Sequence, residues 1–255
     1  MTGIDTAARI TSAQAAKLRE NGVSFVGRYL APGKELTAAE AKILRDAGLA
    51  IMLCWETTAT RIKGGAKAGA ADAMAARQAA EALGVSAGTV IYFACDYDAP
   101  PSDFASIEAY LRTASYNTEQ YGVGLYGPER VVAAMSERGA CYYFWQCVAW
   151  SNQFLPVADV RQYAWQGDQR AKEMAAATGI LAVDLDNADT LAGMWQPPAT
   201  HWYDDTMLWA AKEGICDGTR PEDPATRAEV AQMIRNYNRR FEAADTKADS
   251  GLLSE

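Results

Sequence analysis

Six acidic residues fall where short apolar runs end or turn. Asp5 follows Thr2-Gly3-Ile4, Glu56 follows the run from Leu49 to Trp55, Asp96 and Asp98 close the run from Thr89, and Asp184 and Asp186 belong to the run from Leu181. Side chains alternate in extended chain, so each Asp-x-Asp pair shares one face. Carboxyls gathered in one cleft repel, and repulsion with burial raises the pKa of at least one of them. A protonated carboxyl beside an ionised one is what glycosidic bond hydrolysis requires, with an acid for the leaving oxygen and a base or nucleophile opposite. Asp also caps helices that follow strands, so any single one carries little weight. The coincidence of Asp5, Asp96, Asp98 and Asp184 at three strand ends carries more, and Glu56 stands in reserve.

The elements that must position them read as short β-rich runs alternating with helical patterns. Strands are expected at 2–5, 24–30, 49–55, 89–96, 121–126, 141–148, about 162–166 and 181–185. Thr11 and Thr37 are N-cap candidates for the helices that follow them, Gly22 and Gly84 are stop signals, and the alanine-rich segment from Gly65 to Leu83 is a strong helix former. Helices are also expected over 102–116 and 128–138, while the later connections are less clearly helical. Strands alternating with helices imply parallel βαβ units, and eight of them predict an α/β fold of the (β/α)₈ TIM-like barrel kind over residues 1–195. No GxGxxG follows the first strand, which removes support for an open dinucleotide-binding sheet. In a parallel barrel chemistry gathers at the C-terminal strand ends, so strands one and eight, as neighbours, would bring Asp5 and Asp184 together with strand four across the mouth.

Aromatic residues cluster at the same ends: Trp55, Tyr92, Tyr126, Trp145, Trp150 and Trp165. Their rings suit the apolar C–H faces of sugars, although core packing claims part of the set. Arg28 and Tyr29, at the end of strand two, and Gln146, after Trp145, join Trp55, Tyr92, Tyr126, Trp145 and Trp165 as expected substrate-binding residues. Composition narrows the chemistry further. Lys plus Arg is 24 against 32 for Asp plus Glu, a net charge of −8, which argues against nucleic acid and anionic membrane surfaces as partners. The single histidine, His201, lies late, so neither a Ser-His-Asp triad nor a multi-histidine metal site can be built before it. No metal or organic cofactor is implied, and an amidase or peptidase is disfavoured on the same ground. The five cysteines form no CxxC and read as small buried hydrophobes. The N-terminal MTGIDTAARI has neither the basic nor the apolar region of a signal peptide, and no apolar run approaches the ~20 residues of a membrane span. Synthesis in the cytoplasm with release to the cell wall by a separate route is therefore expected.

The run GAADAMAARQAAEALGVSAGTVIYFACDYD, with YGVGLYG, FWQCVAWS and AVDLDNA, resembles the glycoside-hydrolase-like barrel domains of bacterial wall-associated proteins and phage lysins. That family is similar in turn to the family-twenty-five lysozymes, which cut between N-acetylmuramic acid and N-acetylglucosamine. The resemblance implies that Asp5 matches their strand-one Asp, Asp96 the Asp of a strand-four Asp-x-Glu, and Asp184 a strand-eight Asp. Asp98 stands where they carry the general-acid Glu, one methylene shorter.

Gln196-Pro197-Pro198-Ala199-Thr200 reads as a linker, 196–201, followed by a helical segment over 202–241 and a polar tail over 242–255 that is expected to be disordered. Residues 202–234 resemble one S-layer-homology repeat, which implies binding of anionic wall polymers through Trp209, Arg227 and Glu229, or self-association through this segment. Thr226 and Glu229 also have the spacing of a capping box, and the alternative is that these residues serve only the local helix. Together these features predict a lysozyme-like peptidoglycan hydrolase of the phage or prophage endolysin type, aimed at Gram-positive walls, with Asp98 as general acid. Asp96, Asp5 and Asp184 would act as base, positioner or charge stabiliser. The alternative is a wall-glycan-binding protein whose glycosidase barrel no longer cuts.

Overall fold

The computed structural model describes residues 1–197, 210, 215–216, 226 and 228–237. The chain divides into two compact units, Met1–Pro197 and Pro198–Glu255. The first is a closed eight-stranded barrel with strands in sequence order. Its elements are β1 (Thr2–Asp5), α1 (Ser12–Glu20), β2 (Val23–Tyr29), α2 (Ala38–Asp46), β3 (Ala50–Trp55), α3 (Gly65–Leu83), β4 (Val90–Ala94), α4 (Phe104–Asn117), β5 (Gly122–Gly127), α5 (Glu129–Glu137), β6 (Tyr143–Gln146), β7 (Val160–Ala164), α6 (Gln169–Thr178) and β8 (Asp184–Ala188). In the second unit, a helix over 228–237, α7, starts from a capping box in which Glu229 Oε2 accepts from the Thr226 amide and hydroxyl. Among the described residues no helix is long and apolar enough to cross a membrane.

The helix starts follow local chemistry. Thr11 accepts from the Gln14 amide while the Gln14 side chain reaches back, Thr37 accepts from the Glu40 amide, and α3 ends on Gly84 in the left-handed conformation. The strands are buried on both faces, hence their near-continuous apolar runs. Phe25, Met52, Tyr92, Trp145 and Val160 fill the barrel interior, while Val26, Ile51, Leu53, Ile91 and Phe93 pack outward against the helices. Gly3 is required here: a Cβ would lie 2.2 Å from the Phe25 ring, which occupies that space.

Arg28 belongs to the outward layer, contrary to its expected role in substrate binding. Its guanidinium is fully buried and forks onto Glu40 at 2.9 and 3.1 Å, with a further bond to the Thr6 carbonyl. Glu40 also accepts from the Ile10 amide at 3.0 Å. The pair ties β2 and α2 to the chain beyond β1, which is why it tolerates burial.

Two features depart from a (β/α)₈ barrel. Chain 147–159 joins β6 to β7 without a helix, and β8 runs antiparallel to both β1 and β7. The reversal has a local cause. Gly179, the left-handed C-cap of α6, accepts from the Gln14 side chain in the first turn of α1, and Thr6, just beyond β1, donates to the Ala182 carbonyl. The chain leaving α6 is thus pinned at the C-terminal end of β1, and a strand starting there must run back down the barrel.

Glu40→Ala should leave the Arg28 cation buried without its partner and cost about 3–5 kcal/mol in urea unfolding. The double variant Arg28→Met/Glu40→Leu should recover most of that loss.

Candidate active site

The reversed strand sets the geometry of the barrel mouth. Asp5, the last residue of β1, is the register partner of Asp184, the first residue of β8. The two carboxyls share one donor: Gln162 Nε2, from β7, gives bonds of 2.8 Å to Asp5 Oδ2 and 3.1 Å to Asp184 Oδ2. Gln162 is held in turn by the Tyr126 hydroxyl, which donates to its Oε1 at 3.2 Å. The Gln166 amide donates to Asp184 Oδ1 at 2.6 Å. Gly27 makes room on β2, since a Cβ there would come within 2.7 Å of the Asp5 Cβ. Two residues further along β8, and so one layer deeper, the fully buried Asp186 accepts from Trp145 Nε1 at 2.8 Å.

The electrostatics follow from removing these carboxyls from water. Burial, and then the charge of Asp184, push the Asp5 carboxyl up to about 7 against the opposing bond from Gln162. Burial raises Asp184 to about 6, with the Gln166 amide opposing and Asp96 adding to the rise. Asp96, half-buried beyond β4, is raised by burial and by Glu56, while Lys34 opposes. Lys34 Nζ lies 2.5 Å from Glu56 Oε2 and 3.9 Å from the centre of the Tyr29 ring. It is a cation among acids that sequence reasoning passed over. A cavity of about 410 Å³ opens beside the pair, lined by Asp5, Thr6, Tyr29, Gln166, Leu181 and Asp184 among others.

The expected site residues divide accordingly. Asp5, Asp96, Asp184, Glu56, Tyr29 and Tyr126 gather around the mouth and act on one another electrostatically. Asp98 does not join them: it is half-exposed and pairs with Arg130 at 3.4 Å. Strand alternation sends Trp55 outward with Ile51 and Leu53, where its ring is core, and sends Tyr92 into the packed barrel interior. Trp145 lies beneath the mouth, edge-on to Tyr126 with ring centres 4.5 Å apart. Gln146 is fully buried, and it braces the chain beyond β6 by donating to the Gln153 carbonyl and accepting from the Leu155 amide. None of Trp55, Tyr92, Trp145 and Gln146 offers a surface to a ligand. Trp165, by contrast, is 59% exposed. Trp209 and Arg227 lie outside the described residues, and the Glu229 carboxylate caps α7. Gln162, the residue that joins the acid pair, was missed. Its only sequence signal was a polar side chain at an inward strand position. Among the described residues no group of three or more His, Cys, Asp or Glu side chains is arranged to hold a metal ion.

The chain is a closed α/β barrel domain with carboxyls converging at one end of its strands. Residues 16–190 match the Rv2525c-like, glycoside hydrolase-like domain family, and the chain belongs to it. It is 30% identical over 224 residues to the uncharacterized protein YbfG of Bacillus subtilis, covering 78% of this chain and 31% of that protein. It is 33% identical over 210 residues to the uncharacterized protein FadG of the same organism, covering 74% and 35%. The chain thus spans about a third of the length of these curated relatives. In fold it is similar to the Tat-secreted protein Rv2525c of Mycobacterium tuberculosis, solved in complex with L-tartrate, with a TM-score of 0.66 at 23% identity over 76% of this chain and 98% of that one.

Asp5 and Asp184 bind protons more tightly in the folded chain than in the unfolded one. Their contribution to stability is complete below the ordinary Asp value of about 3.9 and is lost as pH rises through about 6 and about 7. The melting temperature should therefore fall between about pH 4 and about pH 7, and Asp5→Asn should flatten that fall in calorimetry.

Proposed function

We propose that the chain hydrolyses a glycosidic bond of cell-wall glycan, with peptidoglycan as the substrate. The observation that carries this reading is the Asp5–Asp184 pair at the edge of the open cavity, with Asp96 close enough to add to the rise of both. Two such carboxyls sharing Gln162 hold one proton between them around neutral pH, so the mouth contains an acid and an ionised base together. The pair supplies the proton to the leaving oxygen, and Asp96, backed by the Lys34–Glu56 ion pair, acts as base or stabilises the developing positive charge on the sugar. Exposed Trp165 and half-buried Tyr29 offer the stacking surfaces. Asp98 is the poorer candidate, because its carboxyl is half-exposed and committed to Arg130 rather than gathered with the others at the mouth. The second unit is proposed to assist wall attachment, as in phage and prophage lysins of Gram-positive hosts. The exposed Val230 and Ile234, one turn apart on α7, are consistent with self-association there.

One observation favours a second reading. The Asp98–Arg130 pair withdraws the carboxyl at the position where related lysozymes carry their acid, as expected of a barrel that grips glycan without cutting it.

Purified walls of several chemotypes, assayed for turbidity loss and new reducing ends, separate the two. Hydrolysis predicts reducing ends from the native chain and an about 10²–10⁴-fold loss in Asp184→Asn, with co-sedimentation on walls retained. Co-sedimentation without reducing ends from any wall would assign the barrel to binding alone.

A further inference from the structure

Asp186 has no part in the chemistry proposed above, yet it is among the most constrained side chains in the barrel. It is fully buried on an inward position of β8, opposite Gly3 of β1 and Gln162 of β7. Its Oδ1 accepts from Trp145 Nε1 at 2.8 Å, and its Oδ2 receives no donor from any other described residue. In the antiparallel β1–β8 ladder it stands diagonally across from Asp5 on the same inward face. The two carboxyls act on each other electrostatically, and a hydrogen bond between them would give the buried Oδ2 a partner. A carboxyl–carboxyl hydrogen bond contains a proton by necessity, because two carboxylates have four acceptor oxygens and no donor.

We propose that Asp186 is a positioning residue that remains protonated and, oriented by the Trp145 indole, donates its carboxyl proton to Asp5 from below. The assignment of the proton to Asp186 follows from its surroundings. Asp5 has the Gln162 amide to stabilise its charge and lines the open cavity, whereas Asp186 has one indole N–H and no solvent. Burial and the charge of Asp5 both hold Asp186 well above the usual carboxylate range. The titratable groups facing Asp5 are Asp184 and Asp186 from β8, Tyr29 from β2, Cys54 from β3, Tyr126 from β5 and Asp96 beyond β4. Asp186 alone supplies a proton that stabilises ionised Asp5; the neighbouring carboxylates all oppose that ionisation. Its function is thus to keep the proton affinity of Asp5 within the neutral range. The significance of this for turnover rests on the hydrolase reading, but the protonation state does not.

The test is a ¹³C carboxyl NMR titration of Asp5 in the intact chain, which requires no substrate. Asn is nearly isosteric with protonated Asp: its Oδ1 accepts from Trp145 and its Nδ2 donates to Asp5. Asp186→Asn should leave the Asp5 midpoint within about twofold in proton affinity, with the fold intact. Asp186→Leu removes the donor and should tighten proton binding at Asp5 roughly tenfold. If Asp186 were ionised in the native chain, Asp186→Asn would remove a neighbouring negative charge and loosen proton binding at Asp5 by tenfold or more, overturning the proposal. An unchanged Asp5 midpoint in Asp186→Leu, measured on folded protein, would overturn it as well. Native chain that shows the expected midpoints but releases no reducing ends would remove the hydrolase reading and leave the proton assignment standing.

Discussion

The ladder between β1 and the reversed β8 is the constraint on which the mouth depends. Register in a sheet is all-or-none for side-chain direction, because a one-residue slip sends every side chain to the other face. With Asp5 opposite Asp184 and Gly3 opposite Asp186, three carboxyls face inward from two adjacent strands. The bonds that pin the end of α6 near Thr6 and Gln14 set the point at which β8 begins, and so set this register. Parts of the chain with no chemistry of their own therefore decide whether the acids meet.

That meeting opposes stability. Three carboxyls with little water between them raise one another, and the barrel tolerates them because neutral or polar donors surround them: Gln162, the Gln166 amide, and the Trp145 indole beneath. A buried cation would have neutralised the site instead. The positive charges stand off: Arg28 is committed to Glu40 in the outer layer, and Lys34 is paired with Glu56 above. The arrangement keeps carboxyls protonated near neutrality where a salt bridge would have held them ionised.

Much of the barrel was legible from alternation alone. The early helices declared themselves through Thr11, Thr37 and Gly84, and the doubly buried strands through their apolar runs. The late region was not legible, because strand direction leaves no mark on a five-residue run. A parallel β8 would have carried Asp186 nearer the mouth than Asp184, whereas the antiparallel one exchanges their depths. Asp5 and Asp184 meet as expected, but at a strand's end and a strand's start. Residues at strand ends carried the least reliable signal: Trp55 and Tyr92 read as platforms because they lie near the mouth in sequence, and face decides otherwise. Arg28 was misread in the same way, since a lone arginine on a strand does not announce a partner twelve residues later.

The Phe25 ring that occupies the side-chain space of Gly3 has a consequence for solvent access. With Met52, Tyr92, Trp145 and Val160 it fills the barrel interior, and the cavity beside the acids is lined by Asp5 and Asp184. Asp5 lines the cavity whereas fully buried Asp186 does not, so the two acids differ in their access to solvent although they share one face of the sheet.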